Sequence, residues 1–355
     1  MQIDDNAKSG APKGRIPSLD GLRAVSIVLV MASHAIQGTH SPLFRFFFLH
    51  SDLGVRVFFI ISGFLITSLL LHERADSGRI SLRLFYIRRT LRILPAFCLF
   101  LGAVAILNAL GIIQVPPGNW IYALTYTLNF DPHPPWVLGH LWSLSVEEQF
   151  YLLWPLVMRF ARPSVWTGVA MVSVFAGIAI HATKLIDPAL HYAFPFVCGP
   201  IAMGCLLAIQ APAIKRFIGA SKFLSSDWFF LFAVPLIAVL DTPDFGTAGR
   251  YIALVTNSLV TLCVARLVFM PTGAVAQALN WSRVVRLGKL SYSLYLFQQL
   301  FLDSMSAAPI LLPFPFNLLA ALAAGIGCYA LVEVPFQNLR SRFRKPTCET
   351  TMVTW

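Results

Sequence analysis

Arg23 and His34 share one apolar run, SLDGLRAVSIVLVMASHAIQ, at residues 18–37. At about 100° and 1.5 Å per helical residue, their spacing places them on one stripe of one helix, roughly 16 Å apart along its axis. Imidazole exchanges protons near neutrality, while a guanidinium stays charged and matches phosphate oxygens. A histidine inside hydrocarbon is costly, and its presence points to function. Arg23 has a structural alternative, because a long basic side chain near a helix end snorkels to the headgroups.

Further clusters carry chemistry. HLWSLSVEEQFYLLWP, residues 140–155, brings Glu147 and Glu148 into a second apolar run. Glu147, Tyr151 and Trp154 share a face by their i, i+4, i+7 spacing. Adjacent glutamates diverge by about 100°, so only one of the two faces a given cavity centre. Hydrogen bonding between helices is the structural alternative. In FYIRRTLRILP, Arg88, Arg89 and Arg92 gather within about one turn, and their forks suit phosphate. Anchoring at a basic membrane face is the alternative there. In LGVRVFFIISGFLITS, Arg56 has Asp52 or a glutamate of the 140–155 run as its expected partner, and Gly63 marks close helix packing. Residues 114–140 add Trp120, Tyr122, Tyr126 and Trp136 beside Asp131 and His133. Flat rings and polar groups suit a sugar, and an interfacial aromatic belt is the alternative.

The elements that must position these groups are helices in a membrane. Of 355 residues, 57% are hydrophobic and only 12% charged, too few for a soluble shell. Continuous runs such as VFFIISGFLITSLLL and LLAALAAGIGCYALV predict an all-α, polytopic integral-membrane bundle; a barrel would alternate. Spans are expected near 20–40, 54–72, 93–112, 137–160, 164–184, 193–212, 227–241, 250–270, 288–305 and 316–335. Residues 120–130 are too short to cross and read as a re-entrant or surface segment. Residues 72–95 read as an interfacial amphipathic helix running into the third span.

The net charge of +11 is a topology signal before it is a binding signal. With both termini cytoplasmic, all but four of the 27 Lys and Arg fall on the inner side, the exceptions being Arg45, Arg56, Lys184 and Arg250. No soluble basic face is left for nucleic acid. The six cysteines form no CxxC pair and read as small buried hydrophobes, with no metal site expected. Arg23 interrupts the first apolar run, which argues against a cleaved leader. The expected domains are a cytoplasmic tail at 1–17, a membrane domain at 18–339 and a basic cytoplasmic tail at 340–355.

Taken together and in this order, RIPSLDGLRAVSIVLVMASHA, GVRVFFIISGFLIT, YIRRTLRILP, LWSLSVEEQFYLLWP, LGKLSYSLYLF and LVEVPF resemble the membrane-bound acyltransferase family 3. The resemblance runs from residue 15 to residue 339. It implies about ten helices in the cell (inner) membrane and transfer of an acyl group, often acetyl, from cytosolic acyl-CoA. The acceptor would be a hydroxyl of an extracytoplasmic or lipid-linked saccharide, or a small metabolite, with no permanently bound cofactor. It also implies His34, Glu147 and Arg23 as catalytic residues and Arg88, Arg89 and Arg92 as the donor-binding set; the aromatic composition of the outer segment, not the resemblance, makes Trp120, Tyr126 and Trp136 the acceptor-binding candidates. The sequence leaves His34 as general base or as an acyl carrier, with Glu147 orienting its ring. The chain departs from the family at Gln298, where many members have histidine, and an appended SGNH hydrolase-like domain is not expected. A transporter or flippase using the same buried charges is the reading from another class.

Overall fold

A computed structural model describes residues 16–35, 46–47, 50–182, 192–241, 249–302 and 314–343. The tail expected at 1–17 and most of that at 340–355 lie outside the described residues, as do Arg45, Lys184 and the side chain of Arg250. The described residues are helical or in turns, with no strand among them. In chain order the helices are α1 Pro17–Ala35, α2 Ser51–Ser77, α3 Leu82–Ala109, α4 Pro117–Leu124, α5 Trp136–Gly139 and α6 Leu141–Phe160. Then follow α7 Pro163–Ala182, α8 Phe194–Val197, α9 Gly199–Ile209, α10 Ala211–Ala220 and α11 Trp228–Leu240. The last are α12 Gly249–Phe269, α13 Ala274–Asn280, α14 Ser282–Phe297, α15 Phe316–Cys328 and α16 Val334–Ser341, the final two joined by a π turn at Tyr329–Glu333.

Five helices are long and apolar enough to cross a membrane: α1, α2, α3, α12 and the continuous Phe316–Ser341 unit. The pair α9 and α10 makes a sixth if counted as one span, but it bends by 82° between Ile209 and Ala211. Pro212 stands in the first turn of α10, where it has no N–H to continue the preceding ladder. Of the other expected spans, α6 carries Glu147 and Glu148, α11 has 13 residues, and α14 has 16 with Arg283, Arg286 and Lys289. Leu231, Phe232, Leu236 and Val239 of α11 and Leu152 and Leu153 of α6 are exposed, an apolar exterior that fits lipid rather than water. The chain is a membrane protein.

Close packing places α1 at the centre. It lies against α2, α12, α13 and α14. A Cβ added at Gly288 of α14 would sit 1.8 Å from the Asp20 carbonyl oxygen, so only glycine allows α14 to approach the start of α1 this closely. Gly63 of α2 and Gly204 of α9 do the same reciprocally, meeting Ile201 O at 2.0 Å and Ile60 O at 2.1 Å. The packing expectation for Gly63 therefore holds. Phe59, Phe85, Phe97, Phe100, Phe150 and Trp154 fill the core between α2, α3 and α6.

The basic segment at 72–95 runs into the third span as expected, but it is shared between two helices. α2 continues to Ser77, ends on Gly78 at φ +69°, and the chain re-enters helix at Leu82, running unbroken to Ala109. The segment at 120–130 is a short helix, α4, followed by a 3-10 turn at Leu128–Phe130. Cys198, Cys205, Cys263 and Cys328 are buried as expected; Cys98 is exposed, and Cys348 lies outside the described residues.

Candidate active site

The α1 stripe meets a polar cluster near each of its ends. At the start of the helix, Ser18 Oγ donates to Asn280 Oδ1 at 2.8 Å and fixes the first turn to α13. Asp20, buried in that turn, lies where a carboxylate complements the helix dipole. Arg23 Nη1 reaches Asp20 Oδ1 at 3.3 Å. The same guanidinium lies in the field of Arg92, Tyr151 and Glu147, so charge from α1, α3 and α6 converges here.

The three arginines of α3 divide their work. Arg88 donates to Glu73 Oε2 at 3.2 Å, and Glu73 Oε1 accepts the Ser81 backbone N–H at 3.0 Å, so Arg88 closes the turn between α2 and α3. Arg89 lies 4.2 Å from the centroid of the Tyr151 ring, a cation–π contact. Arg92 faces Arg23 and Glu147 and also feels Glu333. The sequence grouped these three as one set; Arg88 is tied away from the other two.

The α6 face behaves as its spacing predicts. Ser62 Oγ donates to Glu147 Oε1 at 2.5 Å, Tyr151 OH donates to Ser62 Oγ at 3.2 Å, and Trp154 Nε1 donates to Thr67 Oγ1 at 2.9 Å. This ladder joins α6 to α2 from the middle of both helices. Glu148 points elsewhere, near Arg89, with Oε1 buried and unpaired among the described residues.

At the far end of α1 the partners differ from those expected. The group on His34 is Gln298, whose Oε1 lies 3.3 Å from His34 Nδ1; the Glu147 carboxylate is engaged by Ser62. An amide oxygen only accepts, so Nδ1 carries the proton and Nε2 keeps the lone pair. Trp136 meets the imidazole edge-on with ring centroids 5.2 Å apart. Its Nε1 and the Nε2 of Gln298 are buried with no partner among the described residues. Next to them, Gln299 Oε1 accepts both the backbone N–H of His140 at 3.0 Å and its ring Nδ1–H at 2.6 Å. Tyr295 OH donates to the His140 carbonyl at 3.0 Å. The end of α14 and the 3-10 turn Gln298–Leu300 that follows it thereby hold the start of α6 and the short helix α5, which carries Trp136.

Of the three aromatic acceptor candidates, only Trp136 touches His34. Tyr126 stacks on Phe97 of α3 at 4.6 Å, and half-buried Trp120 packs on the core. Arg56 lies in the field of Asp52 as expected, but its direct contacts are with neither Asp52 nor a glutamate of α6; it binds Asp241 Oδ1 and, at 3.1 Å, Asn257 Oδ1. Asp241 closes α11 and Asn257 belongs to α12, too distant in sequence for spacing to indicate.

Sequence reasoning did not assign roles to Gln298, Gln299, His140 or Glu333. Glu333 ends the π turn, accepts from Ser293 of α14 and from Gln337 Nε2 at 3.3 Å, and is buried. A glutamate inside CYALVEVPF was the available signal. For Gln298 there was only a break with the family's histidine.

Comparison with known proteins places this geometry in context. The family model described as an acyltransferase domain matches residues 16–333. The chain is 31% identical over 91% of its length to "O-acetyltransferase OatA" of Staphylococcus aureus (strain NCTC 8325), covering 57% of that protein. It is 29% identical over 79% of its length to a putative O-acetyltransferase of Staphylococcus aureus (strain COL), covering 50% of that one. The chain thus spans about half the length of the curated relatives it matches. No solved structure matches it. A family model covering most of the chain, and a polar stripe bridging α1 from Arg23 to His34, lead to one statement: the chain belongs to the acyltransferase 3 family.

Proposed function

We propose that this chain is an integral-membrane O-acyltransferase, moving an acyl group, acetyl in the first instance, from cytosolic acyl-CoA to a hydroxyl of an extracytoplasmic or lipid-linked saccharide. The observation that carries the reading is His34, half-buried beside Trp136 with Nδ1 committed to Gln298 and Nε2 left basic. A hydroxyl is a poor nucleophile at neutral pH and needs a base as it attacks a thioester. His34 Nε2 takes the hydroxyl proton, the oxygen attacks the acyl carbon, the C–S bond breaks, and the thiolate recovers the proton as CoA.

Arg89 and Arg92 supply the phosphate-facing charge of the donor site, and Arg23 extends it up the helix. Arg88 shapes the turn beneath them. Glu147 balances the arginines and joins α2 to α6, and the long pantetheine arm spans the distance from this cluster to His34. Trp136 flanks the acceptor at the reacting end, with Trp120 and Tyr126 on its path. The O-acetyltransferase names of the relatives support the reaction class. The fuller topology goes with this reading: ten spans in the inner membrane, residues 18–339 as the catalytic domain, and both tails cytoplasmic.

His34→Ala tests it. Transfer of labelled acetyl from acetyl-CoA should fall by about 10²–10⁴-fold, while acetyl-CoA binding and monodispersity persist. Near-normal turnover would sink the assignment. Acceptor movement across the membrane without ester formation would favour a transporter. Trapping of acetyl on His34 would select the carrier mechanism over the base.

A further inference from the structure

The His34 site contains two buried hydrogen-bond donors with no partner among the described residues. Gln298 is fully buried; its Oε1 is committed to His34 while its Nε2 has no partner among the described residues. Trp136 presents its ring to the same imidazole at 5.2 Å, and its Nε1 is likewise buried and unpaired. Most buried polar groups are paired, because leaving a hydrogen bond unmade in an apolar site is costly. Two such donors against one imidazole are an arrangement kept for something that arrives.

Their chemistry narrows what arrives. Both are N–H groups, so the visitor presents an acceptor. The attacking hydroxyl oxygen is a poor match, since donors placed on it would occupy the lone pairs needed for attack. The thioester carbonyl oxygen is a good match: it accepts in the ground state and gains a full negative charge when the acyl carbon becomes tetrahedral. Fixed dipoles in a water-poor site act most strongly on charge that develops there.

We propose that Trp136 Nε1–H and Gln298 Nε2–H form the oxyanion hole of the His34 site. The inference rests on the reading of His34 as base and deepens it. The hydroxyl oxygen forms the new C–O bond as its proton passes to His34 Nε2, and the carbonyl π pair moves to the oxygen held by the two N–H groups. That pair returns as the C–S bond breaks, and the departing thiolate takes the proton from His34. Gln298 then has two uses: Oε1 sets the tautomer of the base, and Nε2 binds the oxyanion.

A hole acts on the acyl oxygen whatever the nucleophile, and this separates it from an acceptor-binding role. The test uses the full chain in inverted membrane vesicles, with [14C]acetyl-CoA as probe. It follows both alkali-labile label on endogenous acceptors and slow hydrolysis of acetyl-CoA by water. Trp136→Phe keeps the ring and removes the N–H; Gln298→Met removes the amide at similar length. Each should lower both rates by the same factor, about 10²-fold for the one donor lost in Trp136→Phe and at least as much in Gln298→Met, which also takes the acceptor from His34 Nδ1–H, at unchanged apparent KM for acetyl-CoA. Size-exclusion profiles should match the parent.

Parental rates in Trp136→Phe and Gln298→Met, alongside a dead His34→Ala, would remove the hole and leave the base. Loss of transfer with hydrolysis unchanged would reassign both residues to acceptor binding and also remove the hole. Parental rates in His34→Ala would remove base and hole together.

Discussion

Ser62 donates to the Glu147 carboxylate at 2.5 Å while accepting from Tyr151 at 3.2 Å, so one hydroxyl of α2 holds two polar groups of α6. The contact lies beside Arg23, Arg89 and Arg92, and it sets the position of the carboxylate that balances their charge. Removing the hydroxyl leaves both α6 groups short of a partner in a buried place. Ser62→Ala should therefore destabilise the protein by about 1–3 kcal/mol, read as a lower Tm in detergent. An unchanged Tm would show that the ladder contributes nothing net.

The arginines of α3 should not respond alike. Arg89 and Arg92 face the buried cluster, whereas Arg88 is held by Glu73. Losing a charged hydrogen bond to a phosphate costs about 1.5–3 kcal/mol, so Arg89→Ala or Arg92→Ala should raise the KM for acetyl-CoA by roughly tenfold or more. Arg88→Ala should leave that KM within about threefold of the parent, a change of less than 1 kcal/mol, and lower Tm instead, since Arg88 has no phosphate contact to lose. Equal KM effects in all three would return Arg88 to the donor site.

The Arg56–Asp241 pair joins α2 to the end of α11 with both side chains mostly buried, at 19% and 9% exposure. Asp241→Ala leaves the guanidinium with Asn257 and the field of Asp52 but no carboxylate in direct contact, and breaking such a pair from one side costs up to about 3–5 kcal/mol. Replacing both members, with Arg56→Met and Asp241→Leu, should recover much of the loss. A double variant as unstable as the single one would mean that Asp241 acts through something other than Arg56.

Two glycines offer a paired control. Gly288→Ala would drive a Cβ to 1.8 Å from the Asp20 carbonyl and push α14 from the start of α1. Overpacking of this kind costs about 1–3 kcal/mol, and here it should also slow transfer, because it displaces the turn that carries Asp20 and Arg23. Gly102→Ala in α3 meets nothing within 4 Å and should be neutral or stabilising by up to about 1 kcal/mol. Comparable losses at the two positions would argue against close packing as the cause.

Local chemistry was legible in the sequence and distant pairing was not. The i, i+4, i+7 face of Glu147, Tyr151 and Trp154 follows from helical geometry, and all three side chains meet α2 as one strip. Gln298 and His34 stand 264 positions apart, and no periodicity relates them. The same limit misdirected Arg56, whose partners sit 185 and 201 positions away. Span direction was hidden for a different reason: an apolar stretch records composition, not course. Residues 193–212 read as one continuous span, yet the chain turns through 82° after Ile209.

The unbroken course of α1 from Pro17 to Ala35 makes that helix a ruler. Its graduations are residues, and each one added or removed turns everything beyond it by about 100° and shifts it by about 1.5 Å. Inserting a single alanine between Val28 and Leu29 would keep every side chain of both clusters, yet swing His34 off Gln298 and Trp136 while Arg23 stayed beside Asp20. Substitution within this stretch changes what the helix is made of; insertion changes what it measures. Of the two, its length is the property that the chemistry at its far end can least afford to lose.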